Sequence, residues 1–242
     1  MTAAELAPRV VGRVVGVFAG GPKTLRDVQG EQSEWQSSIA RDPVSGPVVL
    51  ETRGLTGDQA TQPYHGGPDS AVCLHSLSHY AFWNEHLGLG LAAGGVGENL
   101  TIGGVDDQSV CDESVVCVGD VFQVGSAQIQ ISAPRTPCET QARRVGRADW
   151  VELTLRSLRT GMYARVLTPG SLQAGDDLRL AARPNPGLTV QDLVRCYFHE
   201  FDPELARRLI AAEGLMPWWA ERFERRLRED MARQLREGME NP

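Results

Sequence analysis

The 242-residue sequence has no uninterrupted apolar run approaching the roughly 18 residues that a membrane-spanning helix requires. Its first residues, MTAAELAPRVVGRVVGVF, lack a charged stretch ahead of an apolar one, so they do not resemble a secretory signal. Positive charge is not in excess either. The formal net charge of −7 argues against non-specific nucleic-acid binding, although it leaves room for a basic pocket that holds one small anion. These absences predict a soluble cytoplasmic protein that binds neither membranes nor nucleic acid.

Cysteine is sparse, with five residues and no dense framework. Cys111 and Cys117 are separated by five residues, a spacing that fits neither a CxxC redox motif nor the usual zinc sites. Cys73 and Cys117 lie in apolar, strand-like runs, where a free thiol is typical of a small buried hydrophobic residue. We therefore expect Cys73 and Cys117 to be buried and inert.

Cys138 has a different setting, because it follows two prolines in SAPRTPCETQ and lies three residues after Arg135. A basic neighbour favours the thiolate, and the prolines stiffen the loop. The residues alone leave two readings open. Cys138 is either an inert turn residue or a reactive thiol that binds a soft metal, acts as a nucleophile or carries sulfur.

Residues 1–185 are dominated by short apolar runs of strand length, separated by Gly, Pro and Asp. One run, AQIQIS, alternates cleanly, which predicts one buried face and one face in water. Many short strands at this spacing indicate a mainly β barrel or sandwich. A single helix is predicted over residues 76–88, with Ser76 or Ser78 as its cap and Gly88 as its end. The predicted strands cover residues 9–19, 47–51, 70–76, 114–125, 127–132 and 162–167.

After the linker RPNPG, the short strand-like runs give way to apolar residues at helical spacing. Residues 186–242 are therefore predicted to form a separate, small all-α domain of three helices. Thr189 and Asp192 have the spacing of a capping box. Asp202 is suited to an N-cap, with Pro203 at the first helical position. The tail carries no evident catalytic grouping.

Two further segments contain candidate site residues. His65 precedes the turn GGPD, where glycine lets the backbone approach a ligand. Glu98 and Asn99 lie in a second Gly-rich loop, GGVGENLTIGG, whose amides could hold an anion. His75 and His79 have the spacing of a helical metal pair, but we predict that they lie in different elements and do not form one.

Taken in order, these segments resemble the MOSC family, named for the C-terminal part of molybdenum cofactor sulfurases. The segments that carry the resemblance are GLTGDQATQPYHGGPDSAV, HYAFW, GVGENLTIGG, VCVGDVFQVGSAQIQISAPRTPC and TGMYARVLTPGSLQAGDDLRL. SSIARDPVSGPVVL is similar to a stretch in which the family usually has Lys at the position of Arg41. The helical tail resembles the three-helix domain of the YiiM-like branch. The resemblance implies a β-barrel-like MOSC fold with a few helices, followed by a small all-α domain.

The resemblance also implies binding of the molybdenum cofactor, with the Cys138 thiolate as the protein ligand to molybdenum. It implies the reduction of N-hydroxylated compounds, such as 6-hydroxylaminopurine, to amines. His65 and Asn99 would then join Cys138 as catalytic residues that orient the substrate. The expected cofactor-binding residues are Cys138, Arg135, Arg41, Lys23, Glu98, Asn99 and His65.

Several expectations concern partners. The sequence has no flavin or iron–sulfur signature, so a separate reductase would supply the electrons. Three roles remain open for the helical tail: docking of that reductase, homodimerisation, or simple packing on the barrel. Ser70 and His75 stand where the family commonly has Lys and Tyr, which affects the anion and substrate contacts. The alternatives to a reductase are a sulfur carrier that uses a Cys138 persulfide and a non-catalytic module that binds the cofactor.

Overall fold

The computed structural model describes residues 9–27, 34–59, 66–106 and 109–240, apart from the side chains of 238–240. The strands are β1 (Arg9–Ala19), β2 (Lys23–Arg26), β3 (Glu34–Ser37), β4 (Asp42–Pro43), β5 (Val48–Glu51), β6 (Gly54–Leu55), β7 (Val72–Ser76), β8 (Leu100–Gly103), β9 (Val121–Val124), β10 (Ala127–Pro134), β11 (Met162–Thr168), β12 (Gly170–Leu172) and β13 (Asp177–Ala182). The α-helices are α1 (Leu77–Leu87), α2 (Glu139–Val145), α3 (Trp150–Ser157), α4 (Val190–Phe198), α5 (Pro203–Ile210) and α6 (Pro217–Glu240).

Seven strands close a β-barrel in the order β13–β9–β10–β11–β7–β8–β1, because β13 also pairs with β1. The barrel pairs are antiparallel except for β7 and β8, which run parallel. Apolar side chains from each strand fill the interior, and closure leaves no barrel strand with a free edge. The prediction of a mainly β, barrel-like fold is therefore confirmed.

The strand predicted over residues 114–125 was too long, since only Val121–Val124 is a strand. The fully buried Asp120 side chain accepts a hydrogen bond from the Cys117 backbone N–H at 2.9 Å, and Arg183 pairs with the same carboxylate. This local hydrogen bond turns the chain ahead of the strand. Sequence patterns also missed α2 and α3, which are only 7 and 8 residues long.

The C-terminal helices begin as the sequence predicts. Thr189 and Asp192 form a reciprocal capping box at the start of α4. Asp202 caps α5 by accepting hydrogen bonds from the next helical N–H groups, and Pro203 is the first helical residue. Within the described residues, no helix is both long enough and apolar enough to cross a membrane.

The helical tail covers the outer face of β10, so the prediction of a water-exposed face there was wrong. Gln130 and Ser132, which point outward, are both buried. The Ser132 carbonyl accepts a hydrogen bond from the Met216 N–H at 2.8 Å. Gly214 approaches Gln130 so closely that an added Cβ would lie 2.8 Å from its side chain. Gln130 thus faces the tail, and the Ser132 hydroxyl donates to the Asp69 and Tyr163 carbonyls.

Trp219 joins the tail to the barrel, because it belongs to the same continuous apolar core as the barrel side chains. It is 1% exposed and meets the Tyr197 ring at 5.2 Å between centroids. We expect Trp219→Ala to lower the free energy of unfolding of the whole chain by about 3–5 kcal/mol. Chemical denaturation followed by circular dichroism, with calorimetry, measures this loss and the number of transitions.

Trp218→Ala is the matched control, since the neighbouring Trp218 is 45% exposed. Its cost is expected to stay within about 1 kcal/mol. A shared core predicts one cooperative transition in both variants. Two separate transitions, with only one affected by Trp219→Ala, would instead support the division at residues 185 and 186 that the sequence suggests.

Candidate functional site

A cavity of about 990 Å³ opens at one mouth of the barrel. It lies where β7 begins, where β10 ends and beside the start of β11, so several loops converge on it. Cys73 of β7 is paired in register with Tyr163 of β11, and both line the cavity. Cys138, Arg135, Arg41 and Asn99, which the sequence predicts as site residues, line it as well.

Cys138 lies at the junction between the loop after β10 and helix α2. It is the N-cap residue of α2, but its side chain makes no capping hydrogen bond. Its carbonyl accepts hydrogen bonds from the Gln141 and Ala142 N–H groups at 3.0 Å, which fixes the backbone. Cys138 is half-buried, whereas the other four cysteines are buried. The thiol is therefore held at the cavity by its backbone and remains accessible.

Arg135 provides a buried positive charge at the cavity. Its Nη2 donates to the Val96 carbonyl at 2.7 Å, while its Nη1 has no hydrogen-bond partner among the described residues. Burial alone would lower the pKa of Arg135, but nearby groups that can carry negative charge, first Cys73 and then Tyr163, raise it. The guanidinium thus stays charged and keeps one N–H edge for an anion or a thiolate.

Asp58 organises the opposite wall and was missed by the sequence analysis. Its carboxylate accepts two hydrogen bonds from Arg41, at 2.7 and 2.9 Å, in a bidentate pair. Asn99 Nδ2 donates to the same carboxylate at 2.9 Å, and the Gly20 N–H donates at 3.1 Å. The only sequence signal was an acidic residue in the turn TGDQ. No local pattern indicates that the segments of Gly20, Arg41 and Asn99 meet at its carboxylate. Asp58 already neutralises the Arg41 charge.

Asn99 uses both ends of its amide within the protein. Its Oδ1 accepts from the Cys73 N–H at 3.0 Å, and its Nδ2 also reaches the Phe18 carbonyl at 3.3 Å. It therefore ties the start of β7 to Asp58 and to β1.

Two of the predicted cofactor residues lie away from the cavity, and a third cannot be placed. Lys23 pairs with the exposed Asp42 at 2.5 Å. Glu98 is fully buried, and its Oε1 accepts hydrogen bonds from the Tyr80 and Thr101 hydroxyls, each at 2.6 Å. Neither Lys23 nor Glu98 is among the described residues that line the cavity. His65 lies outside the described residues.

Two lining residues bear on anion binding. Ser70 lies on the cavity wall, at a position where the family that the sequence resembles commonly has Lys. Arg53 lies there too, is exposed, and makes no hydrogen bond or ion pair with any described residue. Among the described lining residues, the positive groups left to meet an anion are Arg53 and the free edge of Arg135.

Cys73 is buried, as the sequence predicts, and it also lines the cavity. Burial raises the pKa of Cys73, against the lowering effect of Arg135 and Arg41. Cys73 is therefore a protonated thiol at neutral pH, and Cys138 is the more accessible of the two sulfur atoms.

The prediction that His75 and His79 lie in different elements is confirmed. His75 is the last residue but one of β7 and His79 lies in the first turn of α1, and the tight strand-to-helix junction brings the ring centroids to 4.9 Å. Among the described residues, no group of three or more His, Cys, Asp or Glu side chains is arranged to hold a metal ion. The pair is thus a buried polar contact without a complete ligand set of its own.

Comparison with known proteins agrees with this architecture. A family model described as MOSC domain matches residues 61–179. Uncharacterized protein YflK of Bacillus subtilis is 35% identical over 204 residues, which cover 84% of this chain and 86% of YflK. The crystal structure of YiiM from Geobacillus stearothermophilus has a TM-score of 0.73 and 28% identity, covering 89% of this chain and 99% of that one. A Gibberella moniliformis protein named Reductase is 31% identical over 67% of this chain, which is 28% of that protein.

The matched region contains Asn99, Arg135 and Cys138, whereas Arg41 and Asp58 precede it. Identity to YflK extends over most of both chains, and the fold agrees with YiiM along nearly its full length. This chain belongs to the MOSC domain family, with YflK and YiiM among its relatives.

Proposed function

We propose that this protein is an oxidoreductase that binds the molybdenum cofactor in the barrel-mouth cavity and reduces N-hydroxylated compounds, such as 6-hydroxylaminopurine, to amines. One observation carries the proposal: the accessible Cys138 thiol and the unpartnered Nη1 of Arg135 share one cavity. A thiolate is a soft-metal ligand, and a fixed guanidinium edge binds anions. A cofactor that combines a soft metal with a phosphate needs both.

The cavity has room for such a group. Its volume of about 990 Å³ lies at the upper end of the range typical of cofactor sites, about 300–1,000 Å³. A cavity of this size accommodates a cofactor and a small substrate together. The open, half-buried position of Cys138 also suits a ligand that approaches from the cavity.

The chain's residues divide the binding between metal and anion. Cys138 would be the protein ligand to molybdenum, and it is the accessible thiol of the cavity. Arg135 and Arg53 would hold the pterin phosphate, because their guanidinium groups have N–H donors to spare. Arg41 would act indirectly, since its guanidinium already donates to Asp58 and to the Gly97 carbonyl.

The bound cofactor would supply the two-electron chemistry that removes the hydroxylamine oxygen. Tyr163 is the cavity residue best suited to meet that oxygen. Burial, reinforced by charge on Cys73, raises the pKa of Tyr163 to about 12, so its phenol stays protonated at neutral pH. The hydroxyl would donate a hydrogen bond to the substrate N–OH group.

Asn99 would position other groups rather than bind the substrate. Its amide donates to Asp58 and accepts from the Cys73 N–H, which leaves little capacity for a ligand. Its proposed role is to hold the cavity wall that contains Asp58 in place against β7, the strand that carries Cys73.

A separate electron-donating reductase is part of the proposal. The relative named Reductase supports it, because the matched segment is 28% of that protein and the remainder has room for further domains. In this chain the corresponding electron donor would be a second protein.

The test is analysis of protein purified from cells that make the cofactor. We expect molybdenum and the fluorescent oxidised pterin in near-equal amounts, and conversion of 6-hydroxylaminopurine to adenine with an artificial low-potential electron donor. The same preparation heated to release the cofactor serves as the blank.

The outcomes separate the three candidate functions. Molybdenum-loaded protein that does not turn over N-hydroxylated compounds would support a non-catalytic cofactor module. Protein without molybdenum, but with sulfur on Cys138 that cyanide releases as thiocyanate, would support a sulfur carrier. Either result would overturn the reductase assignment.

A further inference from the structure

A buried polar cluster lies behind the cavity wall, formed by His75 of β7, His79 of α1 and Glu113 in the turn before β9. Each of these residues is at most 2% exposed. His79 Nε2 lies 3.1 Å from Glu113 Oε2, and the two histidine rings are 4.9 Å apart between centroids. Glu113 Oε1 also accepts hydrogen bonds from the Gly161 N–H and the Thr160 hydroxyl. The three side chains thus form one connected row.

Three nitrogen atoms in this row have no hydrogen-bond partner among the described residues. They are both ring nitrogens of His75 and Nδ1 of His79. Buried polar groups are nearly always satisfied by protein or by ordered water, so unpartnered nitrogens in a polar row point to water between them.

The row ends at a second cavity on the far side. This small cavity, of about 100 Å³, is large enough for several water molecules. His79, Asp112 and Glu113 line it, and Asp112 is partly exposed to solvent. The lining is completed by Ser114, Ser157, Leu158, Arg159 and Gln191.

The opposite end of the row approaches the barrel-mouth cavity. His75 is two residues after Cys73 on β7, so both point to the same face of the strand, and Cys73 lines that cavity. Gly161 separates His75 from Arg135: a Cβ added there would lie 3.0 Å from His75 Nδ1 and 3.7 Å from Arg135 Cβ. Gly161, which has no side chain, therefore separates the row from Arg135 in the cavity wall.

We propose that Glu113, His79 and His75 form a proton relay that carries protons from the small cavity to the barrel-mouth cavity. The inference rests on the proposed reductase function, which requires such a supply. Conversion of R–NHOH to R–NH₂ and H₂O breaks the N–O bond and takes up two electrons and two protons. The separate reductase provides the electrons, and the row would bring the protons to the part of the cavity wall that carries Cys73 and Arg135.

Neutral histidine suits this role, because it can accept a proton on one ring nitrogen and release one from the other. The groups that face His75 are His79, Glu113, Arg135 and the Tyr80 ring. Burial, the neighbouring His79 and the Arg135 charge lower the pKa of His75 well below 6.5, against the effect of Glu113. His75 therefore passes protons on without retaining them.

Glu113 anchors the outer end of the relay. Burial alone would raise the pKa of Glu113, but His79, by charge and hydrogen bond, lowers it to about 2. A permanent carboxylate at this point orients the His79 ring and attracts protons from the small cavity.

Turnover with the molybdenum-loaded protein tests the relay first. We expect His79→Gln to lower kcat about 100-fold, within the range of general acid–base contributions, with unchanged KM and molybdenum content. The solvent deuterium isotope effect on kcat should rise, because proton delivery becomes limiting. His86→Gln is the matched control, on the same helix but with an exposed side chain. Unchanged kcat and isotope effect in loaded His79→Gln would overturn the relay.

Proton exchange in the unsubstituted protein provides a test that needs no turnover and no variant. With ¹⁵N-labelled histidine, we expect His75 to be neutral at pH 6.5, the ordinary histidine pKa, because its own pKa lies well below that value. Its ring N–H should exchange with water within milliseconds, because the relay reaches the small cavity. Ring protons that survive for minutes in D₂O would overturn the proposal. Absence of reductase activity would leave this exchange result intact, so the two failures are distinguishable.

Discussion

Cys138→Ala is expected to remove molybdenum from the purified protein and to reduce N-hydroxylamine turnover by more than about 100-fold. Losing an outer partner of a metal ligand typically costs 10–100-fold, so losing the only accessible thiol of the cavity should cost more. The pterin should be retained in part, since Arg135 and Arg53 still offer N–H groups to its phosphate. Molybdenum content, pterin fluorescence and kcat with an artificial donor measure the three effects.

Two companion variants sharpen this result. Cys138→Ser keeps nearly the same volume but replaces sulfur by a hard hydroxyl, and we expect it to lose molybdenum like alanine. Cys196→Ala makes the same change at a cysteine that is buried in α4, outside the cavity lining, and it should retain the metal. Full molybdenum loading in Cys138→Ala would contradict the assignment of Cys138 as ligand.

The effect should be chemical rather than a loss of folding. Cys138 is half-buried, and its side chain makes no capping hydrogen bond to α2. Substitutions at such positions usually change the free energy of unfolding by no more than about 0.5 kcal/mol. The melting temperature of Cys138→Ala should therefore match that of the unsubstituted protein without cofactor.

The parts of the fold that sequence predicts well are those governed by local contacts. The capping box of Thr189 and Asp192 and the Pro203 start of α5 depend on residues within one helical turn. The alternation in AQIQIS identified β10, but not its outer covering, because that face is buried by helices more than 50 residues later. An alternating pattern indicates that a strand has two different faces. It does not show whether each face contacts solvent or another part of the protein.

The site shows the same limit. Glu98 and Asn99 were both predicted for the cavity, but these two consecutive side chains have different surroundings. Asn99 lines the cavity, and Glu98 turns inward to the hydroxyls of Tyr80 and Thr101. Asp58 could not be identified by spacing, because its role comes from the meeting of segments that are far apart in sequence.

Asp58→Ala is expected to lower the free energy of unfolding by about 3 kcal/mol and to prevent stable binding of the cofactor. The substitution leaves Arg41, only 14% exposed in its side chain, without its bidentate partner. Breaking a buried pair by removing one member typically costs about 3–5 kcal/mol, and partial exposure places this site at the lower end. It also removes the acceptor of the Gly20 N–H and one of the two acceptors of Asn99 Nδ2. Chemical denaturation and pterin content measure the two losses.

Asp177→Ala is the matched control, because both of its ion-pair partners are exposed: Arg13 at 3.4 Å is 57% exposed and Arg179 at 2.7 Å is 47% exposed. Exposed pairs of this kind contribute about 1 kcal/mol or less. The double variant Arg41→Met, Asp58→Leu then separates stability from binding. Removing both charges should recover part of the stability that Asp58→Ala loses, since no unpaired buried charge remains. Pterin binding should not recover, because the cavity wall still lacks the Asp58 carboxylate through which Asn99 ties it to β7. Recovery of binding together with stability would show that Asp58 acts on the fold alone and does not shape the cavity.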